Sequence, residues 1–125
     1  MAASLESAQN IIFTDSVRHE EVFTYIDLMD ITVLPDTGYY MSPIKIFEYG
    51  AMGKAIIAPD VAPVRDVMVN GKDGILIKPE VKELTVALED LIKDKTKRGH
   101  LAESFKKKVD EVYVWTKMAE KILNC

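Results

Sequence analysis

Tyr40-Met41-Ser42-Pro43-Ile44-Lys45-Ile46-Phe47-Glu48-Tyr49-Gly50-Ala51-Met52-Gly53-Lys54-Ala55-Ile56-Ile57 sets the architecture of this chain. An apolar run, Ile31-Thr32-Val33-Leu34-Pro35, lies upstream of it and reads as a buried strand. Ser42 is a good helix N-cap, and Pro43 suits the first turn, where its missing N–H costs nothing. The helix is expected over 43–52, with Gly53 ending it. Ala55 to Ala58 then reads as a second apolar strand. Strand, loop, helix and strand in that order form a parallel crossover unit. Ligands of such units bind beyond the carboxyl ends of the strands, here at the loop Asp36 to Met41.

The same alternation continues on both sides. Asn10 to Phe13 and Ile75 to Ile77 read as strands, making four in all. Ser16 is expected to cap a helix with Glu20 and Glu21 in its first turn, where negative charge suits the helix dipole. Val22, Ile26 and Met29 follow at helical spacing. Pro63 to Val69 reads as a short helix, and Asn70-Gly71 and Asp73-Gly74 as turns. The rest is helical, with one stripe of Val81, Leu84, Leu88, Leu91 and Ile92. A second stripe is Leu101, Phe105, Val109 and Val112, and a third is Trp115, Met118, Ile122 and Leu123. Short apolar strands between helices imply a parallel sheet covered on both faces. The expected fold class is therefore α/β, a Rossmann-like three-layer α/β/α sandwich with a four-stranded parallel sheet. At 125 residues it is one domain over 1–125, with 1–9 as a frayed lead-in.

Composition narrows the function classes. A formal net charge of −4 argues against nucleic acid as a partner. Basic residues do cluster at Lys93, Lys95, Lys97, Arg98 and Lys106 to Lys108, but acids are interleaved with them, as on a solvated helix face. Cys125 is the only cysteine, so no intrachain disulfide can form, which suits a reducing cytoplasm. No apolar run approaches the roughly 20 residues of a membrane span. Met1 to Asn10 lacks the charged and apolar regions of a signal peptide. His19 and His100 lie far apart on expected helix surfaces, and no metal-ligand spacing or Ser-His-Asp order stands out.

The chemistry is carried by the helix start. The unpaired N–H groups at this helix start, which opens with Ser42-Pro43-Ile44-Lys45, and the helix dipole favour a phosphate or diphosphate over the loop, and Lys45 adds a positive charge. Glu48 is expected beside a buried stripe of Ile44, Phe47 and Ala51. Its carboxylate could accept hydrogen bonds from the vicinal hydroxyls of a ribose, or it could pair locally with Lys45. Tyr39 and Tyr40 could stack on a base or sugar, or pack the loop on the sheet. Gly50, Gly53, Gly71 and Gly74 read as packing and turn residues.

The stretch from Ser42 to Ile57 resembles the donor-site motif of family 4 (group 1) glycosyltransferases, enzymes of the GT-B fold that use nucleotide sugars. The flanks agree. Asp30-Ile-Thr-Val-Leu-Pro looks like the strand before the motif, and Ala58 to Asp66 like the next loop. Gly71-Lys-Asp-Gly-Ile-Leu-Ile looks like the last strand. The helix Val81 to Asp94 and the Trp115 region look like the closing helices. The resemblance covers about residues 10–124. It implies that Glu48, the second glutamate of an E-x-x-x-x-x-x-x-E motif, binds the ribose. It also implies that the backbone from Ser42 to Lys45 faces the diphosphate. The family's first glutamate falls on Tyr40 here, and its basic pair for the leaving diphosphate lies upstream of residue 10. The family's N-terminal acceptor domain has no counterpart in this sequence.

Two functional readings follow. In one, the chain is the nucleotide-sugar-binding domain of a retaining glycosyltransferase, with a nucleoside diphosphate sugar as substrate, no cofactor or metal, and no catalysis by itself. In the other, it is a non-catalytic fold remnant or interaction module that dimerises. In the family's full domain, two further strands separate the first two strands counted here. Without them the strand at Ile31 to Leu34 is expected to expose an apolar edge. Either Asn10 to Phe13 moves in to cover that edge, or two chains pair as a homodimer.

Overall fold

A computed structural model describes residues 9–34 and 44–112. The elements run α1 (His19–Asp27), β1 (Ile31–Val33), α2 (Ile44–Ala51), β2 (Ala55–Pro59), α3 (Ala62–Arg65), β3 (Ile75–Ile77), α4 (Val81–Lys93) and α5 (Lys95–Val112). The described strands form one parallel sheet in the order β1-β2-β3. Ile31 pairs with Ala55 and Val33 with Ile57; Ile57 pairs with Ile75 and Pro59 with Ile77. The short β-branched runs supply strands, and each crossover returns a helix to the sheet.

Alternation along β2 sorts the core into two layers. Ile56 and Ala58 face one side, with Leu76 of β3, Ile46 of α2, Val64 of α3, and Phe105 and Val109 of α5. Ala55 and Ile57 face the other, with Ile77, Ala87 and Leu91 of α4, and Leu101 of α5. Helix α5 therefore wraps past the sheet and closes both layers. Asp94 makes the corner between α4 and α5: its carboxylate accepts the Lys97 N–H at 2.9 Å and caps α5. Thr32, buried in β1, donates its hydroxyl hydrogen to the Ala55 carbonyl at 3.0 Å, so its polar atom is satisfied.

The expected three-layer architecture holds, and β1, β2 and β3 stand where the apolar runs put them. The expected fourth strand, Asn10 to Phe13, does not form. Residues 11–15 lie outside any regular element, and Ile12 and Phe13 are 86% and 72% exposed. A strand needs a paired neighbour, and here Asp15, at φ +53°, turns the chain out of the extended conformation. Ser16 is exposed and does not cap α1; Arg18 takes that position, and no side chain bonds to the free N–H groups. The expected α4 stripe is also shifted. Val81 and Ile92 are exposed, while Leu84, Ala87, Leu88 and Leu91 meet the sheet. The stripe proposed for Trp115, Met118, Ile122 and Leu123 lies outside the described residues.

Candidate functional site

Helix α2 follows β1 and runs back along the sheet, so it begins at the carboxyl edge of the strands. Ile46 and Gly50 are its buried positions, flanked by the half-buried Phe47 and Tyr49. Gly50 lets α2 and α5 approach closely. A Cβ there would stand 2.6 Å from the Phe105 ring and 2.9 Å from Val109 Cγ2. The Phe47 and Phe105 rings lie alongside, centroids 6.5 Å apart. The helix ends in a Schellman motif. Gly53, at φ +70°, donates its N–H to the Gly50 carbonyl, and Lys54 donates to that of Tyr49.

This packing corrects the expected stripe. Ile44 is 63% exposed and Ala51 is exposed, because the core side of α2 is set by Ile46 and Gly50. At about 100° per residue, Glu48 stands roughly 200° around the axis from Ile46. It therefore lies on the flank turned away from α5, with Ile44 and Ala51, and is half-buried. Lys45 is exposed, and no ion pair joins it to Glu48. Among the described residues, the Glu48 carboxylate accepts no hydrogen bond, so the local pairing weighed from sequence is not formed. Burial pushes the Tyr49 phenol up, and the negative charge of Glu48 adds to the effect. Of the expected site residues, the structure thus places Ile44, Lys45 and Glu48 together on the first turns of α2. Tyr40, Ser42 and Pro43, and with them Tyr39, lie outside the described residues.

The carboxyl edge carries further charged groups. Asp60, one residue beyond β2, forms an ion pair with Arg65 of α3 at 3.2 Å. Lys78, one residue beyond β3, donates its N–H to the Glu83 carboxylate of α4. Asp66, the last residue of the stretch read as a loop, is exposed at the end of α3. Three cations of the basic runs of α4 and α5 have local partners. Lys97 pairs with Asp90 and Lys106 with Asp110, while Arg98 donates to the Leu91 and Ile92 carbonyls. His100 is exposed, as expected.

One buried charged group escaped the sequence reading. Asp73 is 1% exposed, and its carboxylate accepts hydrogen bonds from the Val69 N–H, the Ser104 hydroxyl and the Lys108 ammonium. Burial alone would raise its pKa. The Lys108 ammonium, the Val69 N–H and the Ser104 hydroxyl outweigh burial and hold the carboxyl below its usual range. The knot ties the turn before β3 to α5. Asp-Gly signals a turn, but nothing local pairs Asp73 with a lysine 35 residues on.

Among the described residues, no group of His, Cys, Asp and Glu is placed to hold a metal ion, and no helix is long and apolar enough to cross a membrane. The family profile described as "Glycosyl transferases group 1" matches residues 1–94. Alpha-D-kanosaminyltransferase of Streptomyces kanamyceticus is 30% identical over 95 residues, which cover 75% of this chain and 24% of that protein. The chain thus spans about a quarter of that curated relative. Sucrose-phosphate synthase from Thermosynechococcus elongatus superposes with a TM-score of 0.81 at 19% identity, over 93% of this chain and 29% of that one. The C-terminal domain of the group 1 family protein LpcC from Francisella tularensis gives a TM-score of 0.74 at 20% identity, over 82% of this chain and 53% of that one. HepE of Anabaena, solved in complex with UDP, gives 0.69 at 20% identity, over 81% of this chain and 29% of that one. The shared fold is the Rossmann-like C-terminal half of GT-B proteins.

Proposed function

The chain belongs to the group 1 glycosyl transferases, and from that membership we propose that it is the donor-nucleotide-binding domain of a retaining enzyme. The observation that carries this reading is Glu48. It lies on the outward flank of the helix that starts at the carboxyl edge of the sheet, half-buried and without a hydrogen bond among the described residues. A carboxylate held there suits the vicinal hydroxyls of a ribose. The backbone from Ser42 through Pro43 and Ile44 to Lys45 faces the diphosphate, where free N–H groups and the helix dipole favour negative charge. Tyr40 takes the place of the acid that would touch the donor sugar. Such a domain holds a nucleotide sugar without a metal. By itself it turns over no substrate, because catalysis needs a second wall to exclude water and a site for the acceptor.

Calorimetric titration with UDP, GDP and ADP tests the reading. Saturable binding of at least one of them is expected, unaffected by EDTA and weakened about tenfold or more by Glu48→Ala, which removes charge-assisted hydrogen bonds. No binding of any of the three at millimolar concentration would sink it.

A second reading is favoured by one observation. Among the described residues β1 is paired on one side only, and Ile12, Phe13 and Leu28 are exposed at 86%, 72% and 78%. On that reading the chain is a non-catalytic module that pairs with a second copy.

A further inference from the structure

Helices α2 and α3 lie on the same face of the sheet, since Ile46 of α2 and Val64 of α3 share one core layer with Ile56 and Ala58. Each follows a strand and returns along the sheet, so both begin at the carboxyl edge. Arg65 closes α3, yet its guanidinium is drawn back to that edge. Its Nη1 donates to the Asp60 carboxylate at 3.2 Å and, at 3.5 Å, to the Asp60 carbonyl. Asp60 is itself fixed, because its N–H donates to the Ile77 carbonyl of β3 at 2.7 Å. The Arg65 side chain is 57% exposed. Its bonds to Asp60 use Nη1 alone, so Nε and Nη2 keep their N–H donors without an acceptor among the described residues. A tethered, solvent-facing guanidinium fork at the edge where α2 begins has the shape and charge to grip phosphate oxygens.

We propose that Arg65 is a phosphate-binding residue of the donor site, contacting the diphosphate of a nucleoside diphosphate sugar opposite the start of α2. This rests on the reading of the carboxyl edge as a nucleotide site. Arg65 supplies a cation from inside the fold. Asp60 limits the motion of the side chain, so less freedom is lost when phosphate binds. Asp60–Arg65 is an exposed ion pair, which adds little to folding, so variants at Arg65 keep the fold.

The test compares wild type, Arg65→Gln and Arg65→Lys by calorimetry, using whichever of UDP, GDP or ADP binds tightest, at several salt concentrations. Arg65→Gln is expected to bind about tenfold more weakly, with a flatter dependence on salt. Arg65→Lys should fall between it and wild type, and all three proteins should stay folded, melting within several degrees of one another. Equal affinity and equal salt dependence in wild type and Arg65→Gln would overturn the role of Arg65 and leave the nucleotide site standing. A wild type that binds none of the three nucleotides would overturn both.

Discussion

Asp73 shows how one residue joins stability to pH. Its carboxylate is buried against Lys108, Ser104 and the Val69 N–H, and its pKa in the folded chain lies below the usual value. A depressed folded pKa contributes stability that is complete above the unfolded pKa, about 4, and is lost as pH falls through the folded value. Urea unfolding of the wild type should therefore lose stability below about pH 4, and part of that loss should be missing in Asp73→Asn. At neutral pH that variant should be about 2 kcal/mol less stable, since it leaves Lys108 partly buried without its counter-charge. Identical pH profiles for the two proteins would refute the assignment. Glu48 is the opposite case: it is half-buried, and among the described residues its carboxylate accepts no hydrogen bond. Its place on a helix was legible in the sequence, from the Ser42-Pro43 start signal. The pairing of Asp73 was not, because its cation comes from a distant helix.

At the scale of elements, the sequence pattern located the helices more securely than it oriented them. Ile44, Phe47 and Ala51 form a plausible apolar stripe on α2, but the helix turns Ile46 and Gly50 inward instead. The reason is the contact with α5. Gly50 has no side chain, so Phe105 and Val109 can seat directly on the α2 backbone. That contact rotates Glu48 to the outward flank. Gly50→Ala is accordingly expected to cost about 1–3 kcal/mol in urea unfolding, the usual range for overpacking, despite the better helix propensity of alanine. Combining it with Phe105→Leu should recover part of the loss relative to Phe105→Leu alone. A Gly50→Ala protein as stable as wild type would show that α2 and α5 are not in register. Asp94 alone stands between α4 and α5, and its side chain caps the next helix, a local interaction.

For the whole molecule, the edge of β1 away from β2 has no partner strand among the described residues. Leu34 donates its N–H to Ile57 of β2, so alternation along the strand turns the Val33 N–H outward, where no strand is described. Pairing of two copies along this edge would satisfy those groups and bury apolar surface. Light scattering is then expected to give twice the 14.1 kDa mass. Val33→Pro, which removes an outward donor and leaves the pairing with β2 intact, should return it to one copy. A wild type of single mass at all concentrations would exclude pairing. The amino-acid sequence by itself determined the α/β class, the places of β1, β2 and β3, and the presence of the helix behind Ser42. Each rests on local signals: β-branched runs, caps and glycine stops. Only the tertiary structure decided that Asn10 to Phe13 stays unpaired, that Glu48 turns outward, that Asp73 is buried against Lys108, and that Arg65 reaches the carboxyl edge. Those outcomes depend on contacts between residues far apart in the chain, which no local pattern encodes.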